Sequence, residues 1–164
     1  MEAIIEPVQM DLTDEQLAIV DRVCADKHTN FFITGPAGTG KTVLLTNIFT
    51  RLEQSMGSSV KVVTATGVAA SNCKGQTIHS MFGINAKDTR TSIELLATNS
   101  RCGNVDALII DEISSVSNKL FFIMHKMLQN VRKTHDKPFG GAKIIIFGDF
   151  KQIGPVSVDA ADFL

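Results

Sequence analysis

Eight consecutive residues, Gly35-Pro36-Ala37-Gly38-Thr39-Gly40-Lys41-Thr42, carry the spacing G-x-x-x-x-G-K-[ST], the pattern of a phosphate-binding loop. Each residue type has a chemical reason. Glycines let the backbone turn tightly and aim successive N–H groups inward as an anion nest. A helix that opens directly after the loop turns the positive end of its dipole toward the same phosphates. Lys41 would reach the β- and γ-phosphates of ATP, and the Thr42 hydroxyl would hold Mg²⁺. The flanks suit this chemistry, with an apolar strand-like run over residues 30–34 and a helical one over 43–49. The competing reading is an ordinary glycine-rich turn.

A second signal is Ala107-Leu108-Ile109-Ile110-Asp111-Glu112. An aspartate at the carboxyl end of a buried strand lies where ligands bind in open α/β sheets. Asp111 would hold Mg²⁺ through its water shell. Glu112 adds a second carboxylate able to polarise a water for in-line attack on the γ-phosphate. An enzyme that hands phosphate to an acceptor must exclude water and has no use for that group. The competing role for Glu112 is a glutamate in the turn after a strand. A third run, Phe147-Gly148-Asp149-Phe150-Lys151-Gln152, ends the last apolar stretch. The Gln152 amide could donate to a γ-phosphate oxygen, although a polar residue in such a loop is also ordinary. Lys41, Glu112 and Gln152 are thus the catalytic candidates.

Four β-type runs would position these groups: residues 30–34, 60–66, 106–110 and 143–147. The last two are nearly continuous apolar runs, as in strands of a parallel sheet buried on both faces. Helical segments separate the runs, which predicts a βαβα order with right-handed crossovers. Thr13-Asp14-Glu15-Gln16 fits a capping box, with Leu17, Val20 and Val23 as the apolar stripe of the helix it opens. A second helix should follow the phosphate loop to about residue 54. A third, over 118–133, carries Leu120, Ile123, Met124, Met127, Leu128 and Val131 at helical spacing, a core-facing stripe. Residues 57–59, 85–91 and 138–141 read as loops.

Composition bounds the rest. With 164 residues, 44% hydrophobic and 20% charged, the chain suits one globular domain. Its 16 basic and 17 acidic side chains leave a net charge of −1. Any nucleic-acid contact must therefore come from a local groove rather than a general polyanion-binding surface. Cys24, Cys73 and Cys102 form no C-x-x-C pair, which argues for free thiols over a zinc site or disulfide framework. The acidic start, Met1-Glu2-Ala3-Ile4-Ile5-Glu6, lacks a signal-peptide pattern, and no apolar run nears the ~20 residues of a membrane span. These features point to a soluble protein of nucleus or cytoplasm with no membrane partner.

The order and wording of the motifs resemble the petite-integration-frequency (PIF) type DNA helicases, a RecD-like branch of superfamily 1. The resemblance runs from Leu12 to Val156. It rests on Leu12-Thr13-Asp14-Glu15-Gln16, the phosphate loop, Thr66-Gly67-Val68-Ala69-Ala70 and Gln76-Thr77-Ile78-His79-Ser80. It continues through Asp111-Glu112-Ile113-Ser114 with Pro138-Phe139-Gly140-Gly141, and ends on Gly148-Asp149-Phe150-Lys151-Gln152. It implies that Gln16 reads the adenine edge, completing an ATP-binding set of Gln16, Gly35, Pro36, Ala37, Gly38, Thr39, Gly40, Lys41 and Thr42. On the residues alone Gln16 is better read as a helix cap, and one amide could do both. The resemblance implies that Thr66, Gly67, His79 and Ser80 line a single-stranded DNA path. His79 could equally be an ordinary core or surface histidine. Lys74 and Lys87 are candidate phosphate contacts or solvated side chains. With no Trp or Tyr, only Phe and His could stack on bases. Phe82 is a candidate that could equally be a core residue. Gly154 stands where the family usually has Pro, and Ser115-Val116 where it has Met-Leu.

The resemblance further implies one three-layer α/β domain, RecA-like, with a parallel sheet in which the 143–147 strand lies between the phosphate-loop strand and the Asp111 strand. It implies the first motor domain of a 5′-to-3′ DNA helicase, using ATP and Mg²⁺ and coupling hydrolysis to movement on single-stranded DNA. The family's second RecA-like domain, which supplies an arginine finger, follows the point where this sequence ends. The expectation is therefore a monomeric fragment or short relative that binds nucleotide, hydrolyses it poorly and does not unwind duplex. Two other classes stay open: a non-catalytic nucleotide-dependent interaction module and a small-molecule phosphotransferase.

Overall fold

The computed structural model describes residues 12–72, 75–84, 102 and 105–149. Gln152, Gly154, Cys73, Lys74, Lys87 and the loop expected at 85–91 lie outside the described residues. The first helix, α1 (Asp14–Ala25), begins as its capping box dictates. The Thr13 hydroxyl accepts the Gln16 N–H at 3.2 Å, and Gln16 Oε1 accepts the Thr13 N–H at 3.0 Å. A cap of this kind contributes about 1 kcal/mol.

Among the described residues four strands follow the apolar runs, β1 (Phe31–Thr34), β2 (Val60–Thr64), β4 (Ala107–Asp111) and β5 (Lys143–Gly148), and a fifth, β3 (Gln76–Thr77), follows none. They form one parallel sheet in the order β1-β5-β4-β2-β3. The expected placement of β5 between β1 and β4 holds. Among the described residues four further α-helices cover the sheet or flank its edge: α2 (Lys41–Met56), α3 (Gly67–Asn72), α4 (Ile78–Phe82) and α5 (Asn118–Arg132).

The pleat divides the three central strands, β5, β4 and β2, between two cores. Val60, Val62, Ala107, Ile109, Ile145 and Phe147 pack toward α1 and α2. Val63, Leu108, Ile110 and Ile144 pack toward α4 and α5. The result is helix, sheet, helix. Burying each large aliphatic or aromatic side chain contributes roughly 1.5–3 kcal/mol. That is why β4 and β5 take unbroken apolar sequence.

Several local expectations need correction. The second strand stops at Thr64, two residues early, because the Thr66 hydroxyl accepts the Ala69 N–H (3.3 Å) and starts α3. The two-residue strand β3 and the short helices α3 and α4 had no periodicity long enough to reveal them. Leu17 is 45% exposed, unlike Val20 and Val23. The first turn of α1 overhangs the phosphate loop, where Gln16 makes its contact, rather than the sheet. Phe82 is fully buried and is a core residue. Cys24 and Cys102 are free thiols. Residues 57–59 and 138–141 are 3-10 turns.

Two polar clasps hold the far, amino-terminal end of the sheet. Lys143, only 4% exposed, donates to the carbonyls of Asp26 and Thr29 and lies over the Phe31 ring at 4.6 Å. Burial lowers its pKa from the ordinary lysine value. On the other side, Arg132 donates to the carbonyls of Gly140 (2.8 Å) and Val105 (2.5 Å) and to Asp106 Oδ1 (2.9 Å). Phe139 and Gly140 both take positive φ, 50° and 63°. A Cβ on Gly140 would meet the Leu128 carbonyl oxygen at 2.6 Å. The Pro138–Gly141 turn is thus pinned onto α5, away from the phosphate loop.

His125 Nδ1 accepts the Phe139 N–H at 3.0 Å, which requires a neutral ring at that nitrogen. Burial, with Lys126 nearby, lowers its pKa from the ordinary value. The unfolded chain therefore takes up the proton first as pH falls below ~6.5. This contribution to stability is fully present above that pH and is lost as pH drops through the folded-state pKa. The melting temperature should fall between about pH 7 and pH 5, and fall less in His125→Gln. Equal slopes in calorimetry would show that His125 carries none of this dependence.

Candidate functional site

The carboxyl ends of all five strands lie along one edge, and the strand order sets a row of motifs there. The phosphate loop follows β1, Asp111 and Glu112 end β4, Thr66 and Gly67 follow β2, and His79 and Ser80 follow β3. Such an edge is where ligands bind in open parallel sheets.

The loop's glycines are needed for shape. Gly38 and Gly40 adopt φ of 82° and 81°, a region costly for residues with a Cβ. A Cβ on Gly40 would also meet Gln16 Nε2 at 2.7 Å. That contact shows how α1 reaches the loop: Gln16 Nε2 donates to the Thr39 carbonyl at 3.2 Å. Gln16 is therefore cap and loop brace together. The cap uses one acceptor site of the side-chain oxygen and the brace one N–H, leaving one of each on the amide. Thr39 turns back on the loop, its hydroxyl donating to the Pro36 carbonyl at 2.8 Å. Ala37 and Pro36 are exposed at the loop's tip. Lys41 opens α2, and its Nζ donates to the carbonyls of Gly35 (2.5 Å) and Pro36 (2.9 Å). Thr42 is the next residue of the helix and is exposed.

Asp111 ends β4 on the α1/α2 face, by the same alternation that turns Ala107 and Ile109 that way. It thus shares a face with the start of α2. Its pKa is raised, first by burial and also by the neighbouring Glu112 charge. The Glu112 N–H that Oδ1 accepts (3.0 Å) and the Lys41 charge oppose the shift. A half-buried carboxylate close enough to feel the Lys41 charge is a suitable oxygen donor for a small hard cation. Among the described residues no cluster of three or more His, Cys, Asp or Glu could hold a metal. Mg²⁺ needs none, since it is usually held by one or two carboxylates with substrate phosphates and water.

Glu112 sits in the left-handed region, φ 52° and ψ 57°. Such a conformation costs on the order of 1–3 kcal/mol in a residue with a side chain and clusters at functional sites. The turn that follows holds it there. The Ser114 hydroxyl donates to Glu112 Oε1, and the Ser115 N–H donates to the Glu112 carbonyl at 3.0 Å. A Cβ on Gly148 would meet Ile113 Cγ2 at 2.6 Å, so β5 needs glycine there for this turn to approach. Ser114 and Gly148 lay inside motifs already quoted, but no spacing revealed their partners.

On the other arm of the row, Gly67 is exposed with open space around it. Thr77 caps α4 by accepting the Ser80 N–H at 3.1 Å. His79 is half-buried and Ser80 exposed. The structure thus brings Gln16, Lys41, Thr42, Asp111 and Glu112 to one end of the row and Thr66, Gly67, His79 and Ser80 to the other.

A parallel sheet with a phosphate loop after β1 and an acidic pair closing β4 defines a RecA-like P-loop NTPase domain. A family model described as PIF1-like helicase matches residues 11–162. The chain is 39% identical over 158 residues to the ATP-dependent DNA helicase PIF1 of Saccharomyces cerevisiae (strain YJM789), covering 90% of this chain and 18% of that protein. It is 39% identical over 153 residues to the ATP-dependent DNA helicase PIF1 of Homo sapiens, covering 89% of this chain and 23% of that protein. In fold it is similar to the Pif1 helicase from Candida albicans, with TM-score 0.78 and 34% identity over 90% of this chain and 34% of that one. It is also similar to the Pif1 helicase from Bacteroides in complex with ADP-AlF3 and ssDNA, with TM-score 0.71 and 34% identity over 92% of this chain and 35% of that one. The chain belongs to the PIF1-like helicase family. It spans about a fifth of the length of these curated relatives. Among the described residues no helix is long and apolar enough to cross a membrane.

Proposed function

We propose that residues 1–164 are the first RecA-like motor domain of a 5′-to-3′ DNA helicase. ATP binds at the phosphate loop, Mg²⁺-dependent hydrolysis runs at Glu112, and a second RecA-like domain completes the site in a longer parent protein. The observation that carries this reading is the Asp111–Glu112 turn. It pairs a half-buried carboxylate on the face of Lys41 with a second carboxylate held in a strained, hydrogen-bonded conformation beside it.

In this reading, Lys41 and the loop N–H groups bind the phosphates, and the amide of Gln16 keeps one N–H and one lone pair for adenine. Asp111 and Thr42 would hold Mg²⁺, which when bound neutralises charge on the phosphates. Glu112 orients and deprotonates the attacking water. Gln152 contacts the γ-phosphate. Single-stranded DNA runs over Thr66, Gly67, His79 and Ser80, and the bound chain is a monomer of nucleus or cytoplasm. A Bacteroides relative in complex with both ADP-AlF3 and ssDNA supports the binding of nucleotide and single strand by one protein.

An arginine finger contributes about 10³–10⁵ in turnover where it is known. The isolated chain should therefore bind Mg-nucleotide, hydrolyse ATP slowly and separate no duplex. Calorimetry with ADP, then ATPase assays with and without oligo-dT, test this. Duplex separation by this chain in a clean preparation would contradict the account of the second domain. Phosphate transfer to an added nucleoside would replace hydrolysis with the phosphotransferase reading.

A further inference from the structure

We infer that Thr64 is a positioning residue for the metal side of the nucleotide site, its hydroxyl serving the water shell of the Mg²⁺ that Asp111 would hold. The inference rests on the nucleotide-site reading above and adds a residue that no motif marks.

Thr64 is 1% exposed, and its Oγ1 is the single buried side-chain nitrogen or oxygen among the described residues with no hydrogen-bond partner. An unmade hydrogen bond at a buried hydroxyl is costly. Valine has nearly the same shape, suits a strand at least as well and has no such cost. The orphaned hydroxyl therefore calls for a partner that the protein alone does not provide.

Its position says which partner. Thr64 ends β2 and is the register neighbour of Asp111, the last residue of β4. Paired residues of parallel strands turn their side chains to the same face. Val60 and Val62 face α1 and α2, as do Ala107 and Ile109. Thr64 and Asp111 complete both series on that face, where α2 begins with Lys41 and Thr42. The opposite neighbour of Thr64 is Thr77, which caps the helix of His79 and Ser80. Two residues beyond Thr64, Thr66 starts the helix of Gly67. The hydroxyl thus stands at the middle of the row, between the metal-binding carboxylate and both candidate DNA segments. The structure gives the hydroxyl no bond to the carboxylate itself, and a water of the metal's shell, which a hydroxyl can both donate to and accept from, would supply the missing partner. Partners outside a metal's own ligands hold those ligands in place, and losing one typically lowers metal affinity 10–100-fold.

The test uses this chain and ADP, titrated with Mg²⁺ and in EDTA, for wild type, Thr64→Val and Thr64→Ser. The wild type should bind ADP more tightly with Mg²⁺. Thr64→Val should keep its metal-free affinity and melt no lower than wild type, while the Mg²⁺ enhancement falls about ten-fold. Thr64→Ser should restore it. Unchanged Mg²⁺ enhancement in Thr64→Val would overturn the inference and leave the phosphate-loop assignment intact. A lower melting temperature with parallel loss of metal-free binding would overturn it in favour of a packing role. Wild type that binds no ADP under either condition would remove both readings.

Discussion

Lys41→Ala should abolish measurable nucleotide binding. The ammonium belongs to the residue at which α2 starts, so its stem projects from the helix end that would face a bound phosphate. Its present partners, the Gly35 and Pro36 carbonyls, lie on the loop's own backbone. The side chain is therefore already held over the phosphate cradle. A charge-assisted hydrogen bond contributes about 1.5–3 kcal/mol, and Lys41 would make at least two to phosphate oxygens. Their loss corresponds to a rise in Kd of roughly 100-fold or more. The melting temperature should move little, because the lost bonds are local to an open loop. Calorimetry with ADP decides the matter, and unchanged affinity would remove the phosphate-loop assignment.

Glu112→Gln should separate binding from chemistry. Glutamine keeps the length and an oxygen for the Ser114 hydroxyl, so the left-handed turn survives. It cannot accept a proton from water. Nucleotide affinity should stay within about three-fold, while single-turnover hydrolysis falls by about 10²–10⁴, the usual scale for a general base. A rapid-quench comparison against wild type measures this. Hydrolysis at the wild-type rate would mean another base activates the water.

The two predictions draw on different kinds of information. The phosphate loop was legible because its function is local: eight contiguous residues, two of them glycines at φ near 80°, build the cradle from backbone alone. The capping box at Thr13 was legible for the same reason. The strands were legible because burial on both faces leaves no polar alternation, and the resemblance supplied their order. Glu112 was recognised as a carboxylate beside Asp111, but its conformation and its Ser114 partner were not. A left-handed glutamate arises only when the turn that follows and the packing of Ile113 against Gly148 both hold it. Gln16 shows a middle case. Its cap is local and was read from the residues, whereas its bond to the Thr39 carbonyl needs α1 to lie over the loop. The exposure of Leu17 has the same cause.

By itself, then, the sequence determined which chemical groups are present and which of the longer backbone segments are helix, strand and phosphate cradle. Those depend on contacts within a few residues, and on apolar runs that tolerate one burial pattern. The tertiary structure alone decided which distant groups share a face. Asp111 meets Thr64 because β4 pairs with β2 in one register, and a one-residue slip would turn either side chain to the opposite core. That register is set by crossovers and by two separate cores packing at once. No single segment carries the information.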